Sequence, residues 1–531
     1  MKNMKNITKY MLMAALGTTM LTACSDEQLD LDPTTYVSTN QLLSSTDKSI
    51  ALLNGIYRTM YDDGYTDGWE AEEAGLASTN LAADLMGEDM IMNDMGSGWY
   101  FYDYLLWTKE DYTHDAGRPY GVWNQCYTWI ANANMLIGAK ENMAGSKDDV
   151  NYIVGQAYAI RAFGYYMLSQ WYARTLRGHE DEDCVPIYTE PTVKGTQGKK
   201  RATVSEVYKQ IDADLLAAEQ LLENSDRARD NKSHLGLVGT YGIHARVALV
   251  EEAWETAVAY ADKAIAAAED EGLGIAEVST FIGMNKSSAS NVIWGATITA
   301  DQVPTYNAFL THMDWHMGAY GDDARKQINR QLYNKMGEND TRRAWWNPED
   351  ENNFFYDEDG NIDYELGYQQ EKFLFSNYKT FEGDNIFMRV EEMYLIKAEA
   401  ECMKGDEAAS RATLKTFMDM RDPDFAVESL TGKEIGATSA PEDETGSLRE
   451  AIITQRRIEL WGEFGRIYDL RRLHQGYIRT EEQGHYDGLD VDSESTQNGE
   501  SVVWLMPIPQ SEFDGNVNLD PVKDQNPWED E

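Results

Sequence analysis

The chain has 531 residues, of which 91 are acidic and 46 are basic, and its formal net charge of −45 comes with an isoelectric point near 4.4. Binding to nucleic acid or to an anionic membrane surface depends on Lys and Arg meeting phosphates, so this charge argues against both. A hydrophobic content of 42% is that of a globular protein, and the length allows a large core or about three average domains.

Residues 1–23 have the pattern of a lipoprotein signal peptide. A basic start precedes a short apolar stretch, residues 10–20, which is too short to cross a bilayer. The stretch ends in Leu-Thr-Ala-Cys at residues 21–24, which matches the bacterial lipobox, in which the Cys is lipidated and begins the mature chain. The alternative is an ordinary signal peptide followed by a chance Cys. The sequence therefore predicts lipidation at Cys24, where several acyl chains give stable anchoring.

An acidic tether is predicted over residues 24–37. It begins Cys-Ser-Asp-Glu and carries further aspartates at positions 30 and 32. This tract resembles the surface-export signal of Bacteroides-type lipoproteins. The resemblance implies a protein anchored in the outer membrane by its lipid and facing the extracellular side.

Three cysteines lie beyond the tether, namely Cys126, Cys184 and Cys402. An odd number cannot all pair internally, and so few over this length do not form a disulfide framework. We expect them to be small buried side chains.

Helical segments follow from apolar residues that recur at three- and four-residue steps. Thr203 and Glu206 form a capping box, which marks the start of one of these helices. The predicted helices cover residues 39–61, 119–143, 148–173, 203–222, 233–250, 252–270, 394–404, 406–420 and 448–473. Several are alanine-rich and joined by short turns, which is similar to degenerate tetratricopeptide helix pairs, and four such pairs can be drawn.

The segment 448–473 is predicted to be one long helix that closes the fold. Its aromatic and aliphatic residues fall on one face, and its charges fall at i,i+3, for example Asp469 with Arg472. The other two predicted pairs are Arg456 with Glu459 and Glu463 with Arg466. Two glycines, Gly462 and Gly465, indicate that another segment packs closely there, because Gly destabilises a helix interior.

Two aromatic insertions interrupt the helices, at residues 62–117 and 274–387. Residues 62–117 mix Gly, Asp, Asn and aromatic residues without a period, whereas residues 274–387 are aromatic-rich and predicted to contain mainly short strands and turns. Long structured loops of this kind are often functional.

Several motifs together resemble the SusD/RagB family of outer-membrane nutrient-binding lipoproteins. The matching stretches, in order, are RAFGY at 161–165, VPI at 185–187, RVEEMYLIKAEA at 389–400, QRRIELWGEFGRIYDLRR at 455–472, LMPIP at 505–509 and QNP at 525–527. The resemblance covers nearly the whole chain. Departures are small: Gln455 stands where Glu is usual, and Trp528 stands where the family often ends Gly-Tyr.

The resemblance implies a mainly α fold, a SusD-like αα-superhelix of tetratricopeptide-like helix pairs with irregular, loop- and short-strand-rich ligand-binding insertions. It divides the body into an N-terminal region, 38–273, and a C-terminal region, 274–531. Family members act as a lid on a SusC-like TonB-dependent transporter and hand over oligosaccharides, or peptides in some members. They are not enzymes, and no cofactor is implied.

Carbohydrate binding needs flat aromatic faces for the C–H side of sugar rings, with amides or carboxylates for the hydroxyls. The two insertions supply both. The predicted ligand-binding residues are Trp99, Tyr100, Tyr102, Asn93, Asp94, Trp315, Tyr320, Trp345 and Trp346. Core packing is the competing interpretation for each single aromatic residue.

No metal site is predicted. His312 and His316 are spaced to share a zinc ion on a helix, but no third ligand is apparent. The aspartates around Gly360 mimic a calcium loop, yet the glycine is misplaced for an EF-hand, which favours a hairpin turn.

Two other functional classes remain open from the residues. A glycan hydrolase needs two carboxylates about 5–10 Å apart across a cleft, which a sequence cannot reveal. An interaction scaffold built on helical repeats is the third class. The ordered motifs favour the binding lipoprotein.

Overall fold

The computed structural model describes residues 42–62, 71–72, 74–92, 96–106, 117–348, 354–356, 362–365, 367–485 and 496–527. The predicted anchor at Cys24, the tether, Asn93 and Asp94 lie outside these residues. The fold is mainly α, with 51% helix and 6% strand, as predicted. Among the helices described, none is long and apolar enough to cross a membrane.

Sixteen α-helices follow one another along the described chain. They are α1 Thr46–Arg58, α2 Gly75–Leu85, α3 Phe101–Leu105, α4 Gly117–Gly138, α5 Lys147–Tyr172, α6 Val204–Glu223, α7 Gly236–Val250, α8 Trp254–Asp270, α9 Phe309–Met313, α10 Tyr320–Asp323, α11 Arg330–Tyr333, α12 Val390–Lys404, α13 Glu407–Met418, α14 Leu448–Glu459, α15 Arg466–Arg472 and α16 Gln510–Gly515. Short 3₁₀ turns lie at Lys140–Asn142, Val278–Thr280, Thr305–Asn307, Trp315–Met317, Thr341–Trp345, Pro441–Asp443, Glu481–Gln483 and Val502–Trp504.

Eight short strands accompany the helices in the described part of the chain. They are β1 Met90–Ile91, β2 Val292–Ala296, β3 Gln327–Ile328, β4 Trp346–Asn347, β5 Phe354–Tyr356, β6 Ile362–Glu365, β7 Gln369–Gln370 and β8 Asn385–Arg389. They form an antiparallel sheet in the order β1-β3-β7-β4 and two antiparallel pairs, β2-β8 and β5-β6.

The long helices form a layered stack of helix pairs. Helix α4 packs on α5, α5 on α6, α7 on α8, α8 on α12, and α12 on both α13 and α14. A single large apolar core runs through the stack and into the insertions, and a smaller core lies among α12, α13 and α14. This arrangement agrees with the predicted stack of tetratricopeptide-like pairs.

Local sequence signals placed the ends of several helices correctly. The backbone N–H of Glu206 donates to Thr203 Oγ1 at 3.2 Å, and the N–H of Thr203 donates to a Glu206 carboxylate oxygen at 2.9 Å. This capping box satisfies two N–H groups that the first turn of α6 leaves unpaired. At the other end of the fold, Gly405 ends α12 in the left-handed conformation, at φ +89°.

The predicted closing helix is wrong in one respect, because it breaks into α14 and α15. Gly462 and Gly465 adopt φ +77° and +86°, which no α-helix allows. A Cβ on Gly462 would lie 2.5 Å from the Phe373 ring, and one on Gly465 would lie 2.7 Å from the Ala83 side chain. The close approach that the glycines predicted is therefore present, and it is made at a turn between two helices.

The charges of this segment also pair differently from the prediction. Asp469 and Arg472 form the predicted i,i+3 pair at 2.7 Å. Glu459 instead pairs with Arg389 and Arg421, each at 2.9 Å, so its predicted pairing with Arg456 is wrong. The predicted partner of Glu463 is also wrong, since its carboxylate lies 2.6 Å from Lys372. A helical wheel would place the charges of Glu459 and Glu463 on the surface of one helix. In the structure they form ion pairs with residues of other segments inside the core.

Helix α2 lies inside the segment predicted to be an irregular loop. Every one of its residues is buried, between α15, α3 and the strands. A helix that is apolar or small on all sides has no amphipathic period, so periodicity does not reveal it. Its burial anchors the first insertion to the core.

The three body cysteines are buried and unpaired, as predicted. Cys126, Cys184 and Cys402 are all free thiols. Burial raises the pKa of Cys402 to about 11 and that of Cys184 to about 12.

Candidate functional site

Strand pairing brings the two aromatic insertions together. Met90 of β1 lies opposite Ile328 of β3, and both strands are fully buried. Trp99, which follows β1 in the sequence, lies next to the second insertion. The rings of Trp99 and Tyr320, one from each insertion, are 6.3 Å apart and meet edge to face.

Two further rings extend this contact into a continuous strip. The Tyr306 ring is 6.3 Å from Tyr320 and 5.8 Å from Phe381. Tyr306 is 56% exposed, and the other three rings are half-buried. We call Trp99, Tyr306, Tyr320 and Phe381 the aromatic surface. Exposed rings of this size that touch one another are typical of ligand-binding surfaces, because they leave apolar faces in water.

Phe381 is held in a strained backbone conformation. Its φ of +58° lies in the left-handed region, which is unusual for a bulky residue. The surrounding turn fixes it: Asn377 Nδ2 donates to the Glu382 carboxylate at 2.9 Å, and the Ser376 N–H donates to the Glu382 carbonyl at the same distance. Strain that neighbouring bonds maintain is found mainly at functional positions. The turn therefore presents this ring in a preset orientation.

A buried layer supports the aromatic surface from below. The His312 ring stacks on Tyr320 with centroids 5.1 Å apart, and Tyr100 meets His312 edge to face at 5.0 Å. Burial, aided by the charge of Lys326, lowers the pKa of His312 to about 3, so this imidazole is neutral at physiological pH. Its Nε2 lies 2.9 Å from the Ala71 carbonyl oxygen, to which it donates. Tyr100 is thus a supporting core residue.

Trp315 lies beside charged groups on the same insertion. Its ring stacks on His316 at 4.0 Å, and the Arg325 guanidinium lies 4.4 Å from its centre. Arg325 also pairs with Asp322 at 2.6 Å. This half-buried ring is therefore bordered by side chains that can bond to hydroxyl groups.

Three predicted site residues lie in the core and are left out of the aromatic surface. Tyr100, Trp345 and Trp346 are all at most 3% exposed. The Lys372 ammonium lies 4.5 Å from the Trp345 ring centre, and Trp346 packs edge to face on Trp461 at 5.6 Å. A ring covered on its faces offers nothing to a ligand. These three residues therefore pack in the core, which is the competing interpretation of the sequence.

Of the remaining predicted ligand-binding residues, Tyr102 is described, whereas Asn93 and Asp94 lie outside the described residues. Tyr102 is 43% exposed on α3, and its ring lies 6.5 Å from Phe101. Sequence reasoning missed Tyr306 and Phe381, although both lie in the insertion that it singled out. In the sequence, Tyr306 and Phe381 are aromatic residues in a segment of turns. Such a segment has no pattern that distinguishes an exposed ring from a buried one.

A second aromatic cleft lies on the helical side of the molecule, with a volume of about 400 Å³. Its walls include Trp123, Tyr127 and Tyr188, with Asn124 and Gln197 as polar groups. Tyr127 donates to the Pro186 carbonyl at 2.7 Å, which fixes its ring. This cleft is a competing location for a ligand.

The two histidines with zinc-like spacing do not converge. His312 points into the core, whereas His316 is partly exposed and lies 3.2 Å from Asp314. They are not among the described groups whose ligand atoms come together. Positions 357, 359 and 361 of the calcium-like segment lie outside the described residues.

Family models account for most of the chain. A SusD-like model with the description "Starch-binding associating with outer membrane" matches residues 28–249, and a SusD family model matches residues 283–528. The chain belongs to the SusD family. The predicted resemblance is confirmed, and the protein is one of a family of outer-membrane-associated nutrient-binding proteins.

Solved structures share this SusD-family fold. A SusD-like carbohydrate binding protein from Bacteroides vulgatus aligns with a TM-score of 0.72 at 25% identity, covering 90% of this chain and 97% of that one. A SusD superfamily protein from Bacteroides thetaiotaomicron aligns with a TM-score of 0.70 at 20% identity, covering 91% and 100%. The second likeness establishes the shared fold alone.

One curated relative matches over a shorter stretch. SusD-like protein P2 from Formosa agariphila is 26% identical over 160 residues, which are 30% of this SusD-family chain and 29% of that protein. The match therefore spans less than a third of the relative's length.

Proposed function

We propose that this protein is a cell-surface lipoprotein that captures an oligosaccharide on the aromatic surface and delivers it to a SusC-like TonB-dependent transporter, for which it acts as a lid. The observation that carries the proposal is the meeting of Trp99 and Tyr320, which come from separate insertions. Family membership supports the class of function, and the name of the Bacteroides vulgatus neighbour agrees with a carbohydrate ligand.

The geometry suits a chain of sugar rings. Successive ring centres along the aromatic surface are 5.8–6.3 Å apart and their planes are inclined by 55–69°, so a ligand that follows the surface would contact faces and edges of several rings. Sugar rings expose C–H groups on their flat sides. Aromatic side chains can cover these groups and lose little conformational freedom in doing so. Asp322, two residues after Tyr320, and its ion-pair partner Arg325 can bond to hydroxyl groups. An alternative ligand is a peptide, which the same apolar faces would accept.

The carboxylates near the rings support binding rather than hydrolysis. Asp314 accepts hydrogen bonds on both oxygens, from the Phe375 N–H at 2.7 Å and the His316 N–H at 3.1 Å. Asp322 is engaged by Arg325. A glycosidase needs one carboxylic acid that donates a proton and a second carboxylate facing it. Carboxylates committed to backbone and guanidinium groups suit a binding protein better.

The decisive experiment is a glycan array with the soluble body that begins after Cys24, followed by calorimetry on any ligand found. Tyr306→Ala and Trp99→Ala should each weaken binding at least about tenfold, which is about 1.4 kcal/mol. Tyr158→Ala is the matched control, because Tyr158 is a half-buried tyrosine beside an arginine on α5. Unchanged affinity in both surface variants would reject the aromatic surface, and a loss in Tyr127→Ala instead would assign the ligand to the second cleft.

Two further measurements separate the alternatives. Release of reducing ends from the bound glycan would contradict a binding-only function, and capture of peptides in place of glycans would select the peptide-binding alternative. The anchor is tested by Cys24→Ser, which should move the protein from the membrane fraction into the soluble fraction. Co-purification of a transporter with the lipidated protein tests the lid role.

A further inference from the structure

Three ligand-type side chains from distant parts of the chain meet at one point. His179 lies in the loop after α5, His474 follows α15, and Glu500 lies in the C-terminal stretch 496–527. Their ligand atoms are all within 4.8 Å of one another, and theirs is the one such group found among the residues that the structure describes. The His179 and Glu500 positions are 321 residues apart in sequence.

The Glu500 carboxylate bridges the two imidazoles. One of its oxygens lies 2.7 Å from His179 Nε2, and the other bonds to His474 Nδ1. Each histidine thus directs one ring nitrogen to the same place. Two imidazole nitrogens and a carboxylate oxygen are the ligands of zinc sites with three protein ligands and an open position.

A second carboxylate orients the first histidine. Glu182 Oε1 lies 2.9 Å from His179 Nδ1, on the side of the ring away from Glu500. Histidines that bind metals almost always donate their other N–H to a carboxylate or carbonyl, which fixes the tautomer and aims the free nitrogen. The Glu182–His179 pair has this arrangement.

The access from solvent and the types of ligand atom indicate which metal ions this group could bind. Glu182 and Glu500 both border a cleft of about 650 Å³, so an ion and its water can reach the group from solvent. Imidazole ligands favour zinc and similar transition metals, whereas calcium and magnesium prefer all-oxygen sites.

We propose that His179, His474 and Glu500 bind one divalent transition metal ion of the zinc type, with Glu182 as the positioning residue for His179. The bound ion joins the loop after α5 to the end of α15 and to the C-terminal stretch. The site revises the sequence prediction of no metal, which examined only ligands that are close together in the chain. It is independent of the proposed glycan binding.

A metal-free ion pair between Glu500 and protonated histidines is the competing explanation, and zinc titration distinguishes the two. The sample is the untagged soluble body, and isothermal titration with ZnCl₂ should give one saturable site. His474→Asn and Glu500→Gln should abolish this site. Asn is chosen because His474 has φ +51°, a left-handed conformation that Asn tolerates.

Two more variants complete the test. Glu182→Gln should weaken zinc affinity by about 10–100-fold while keeping the one-to-one stoichiometry. His316→Gln is the matched control, since the His316 side chain is 36% exposed against 35% for His474. It lies beside two carboxylates, Asp314 and Glu371, but is not in the one group of converging ligand atoms found among the described residues. Saturating zinc should raise the melting temperature of the wild type, of His316→Gln and of Glu182→Gln, the last needing more zinc, but not that of His474→Asn or Glu500→Gln. Absence of a saturable site in the wild type, or equal affinity in all variants, would overturn the proposal.

Discussion

Arg389 and Glu463 form a two-pronged ion pair inside the protein, with Nε and Nη2 each 2.7 Å from a different carboxylate oxygen. The arginine side chain is completely buried, and that of Glu463 is 8% exposed. Burial opposes ionisation of Glu463, but the charges of Arg389 and Lys372 outweigh it and hold its pKa below the usual range. Each residue belongs to a different family motif, so this pair ties the two motifs together.

Removing one partner of this pair should be strongly destabilising. We expect Arg389→Met to lower the free energy of unfolding by about 3–5 kcal/mol, because it leaves buried carboxylates short of positive charge. Arg389→Lys should also cost stability, since an ammonium cannot fill both prongs. The control is Lys415→Met, which breaks an exposed pair with Asp419 and should change stability little, because solvent screens an exposed ion pair. Urea denaturation measures all three, and equal losses in Arg389→Met and Lys415→Met would contradict the expectation.

Asp84 should make stability fall as pH rises. Burial raises its pKa to about 8, and the hydrogen bond from the Arg466 N–H at 2.7 Å offsets this only partly. The folded protein then keeps a proton that the unfolded chain releases above the ordinary aspartate pKa of 3.8. Between the two values the free energy of unfolding decreases with pH, by at most about 1.4 kcal/mol per unit.

Asp84→Asn reproduces the shape of the neutral acid and cannot ionise. We expect it to match the wild type near the acid end of this window and to exceed it in stability by a margin that grows up to about pH 8 and is constant above that. Glu463→Gln should behave in the opposite way, because a lowered pKa stabilises the protein above about pH 4 and loses its effect on acidification. Urea denaturation at several pH values gives the two slopes. A wild-type slope that Asp84→Asn leaves unchanged would refute the assignment.

The turn between α14 and α15 allows a matched glycine comparison. Gly405→Ala places a Cβ at φ +89° in open space, so it should cost about 1–2 kcal/mol from backbone strain alone. Gly462→Ala adds a contact of 2.5 Å with the Phe373 ring, so about 1–3 kcal/mol of overpacking should be added to a similar strain. A Phe373→Leu background should recover part of the second cost. If both alanines cost the same, the packing explanation fails.

Phe381 should affect binding more than folding. Asn tolerates its left-handed backbone, so in Phe381→Asn the relief of about 1–2 kcal/mol of strain offsets the lost ring contacts. We expect stability within about 1 kcal/mol of the wild type, together with weaker ligand binding. The neighbouring ring of Phe375 is buried, and Phe375→Ala should cost about 3–5 kcal/mol. Thermal melts and calorimetry on the same samples separate the two effects.

Local signals in the sequence predicted the helices that have two distinct faces. The capping box at Thr203 and the glycine stop at Gly405 each depend on only a few neighbouring residues, and both are present in the structure. Helix α2 was missed because burial on every side removes the period. The break at Gly462 was missed because the same apolar spacing continues on both sides of the turn.

The sequence predicted which regions of the chain form the candidate site, but only some of the residues in it. Composition located the two insertions, and the structure places Trp99, Tyr320 and Trp315 where rings are partly exposed. Exposure of a ring depends on what covers it from elsewhere in the chain. Trp346 is covered by Trp461, which lies more than a hundred positions away, whereas the Tyr306 side chain is more than half exposed. The ligand-binding role of these residues remains a prediction.

The buried thiols make the soluble body suited to single-site chemical labelling. Alkylating reagents attack the thiolate, and burial both hides Cys126, Cys184 and Cys402 and raises the pKa of each. A cysteine introduced at an exposed position beside the aromatic surface would therefore react alone in the folded protein. A fluorophore attached there would report ligand arrival without a background signal, and the same three native thiols would become reactive only on unfolding.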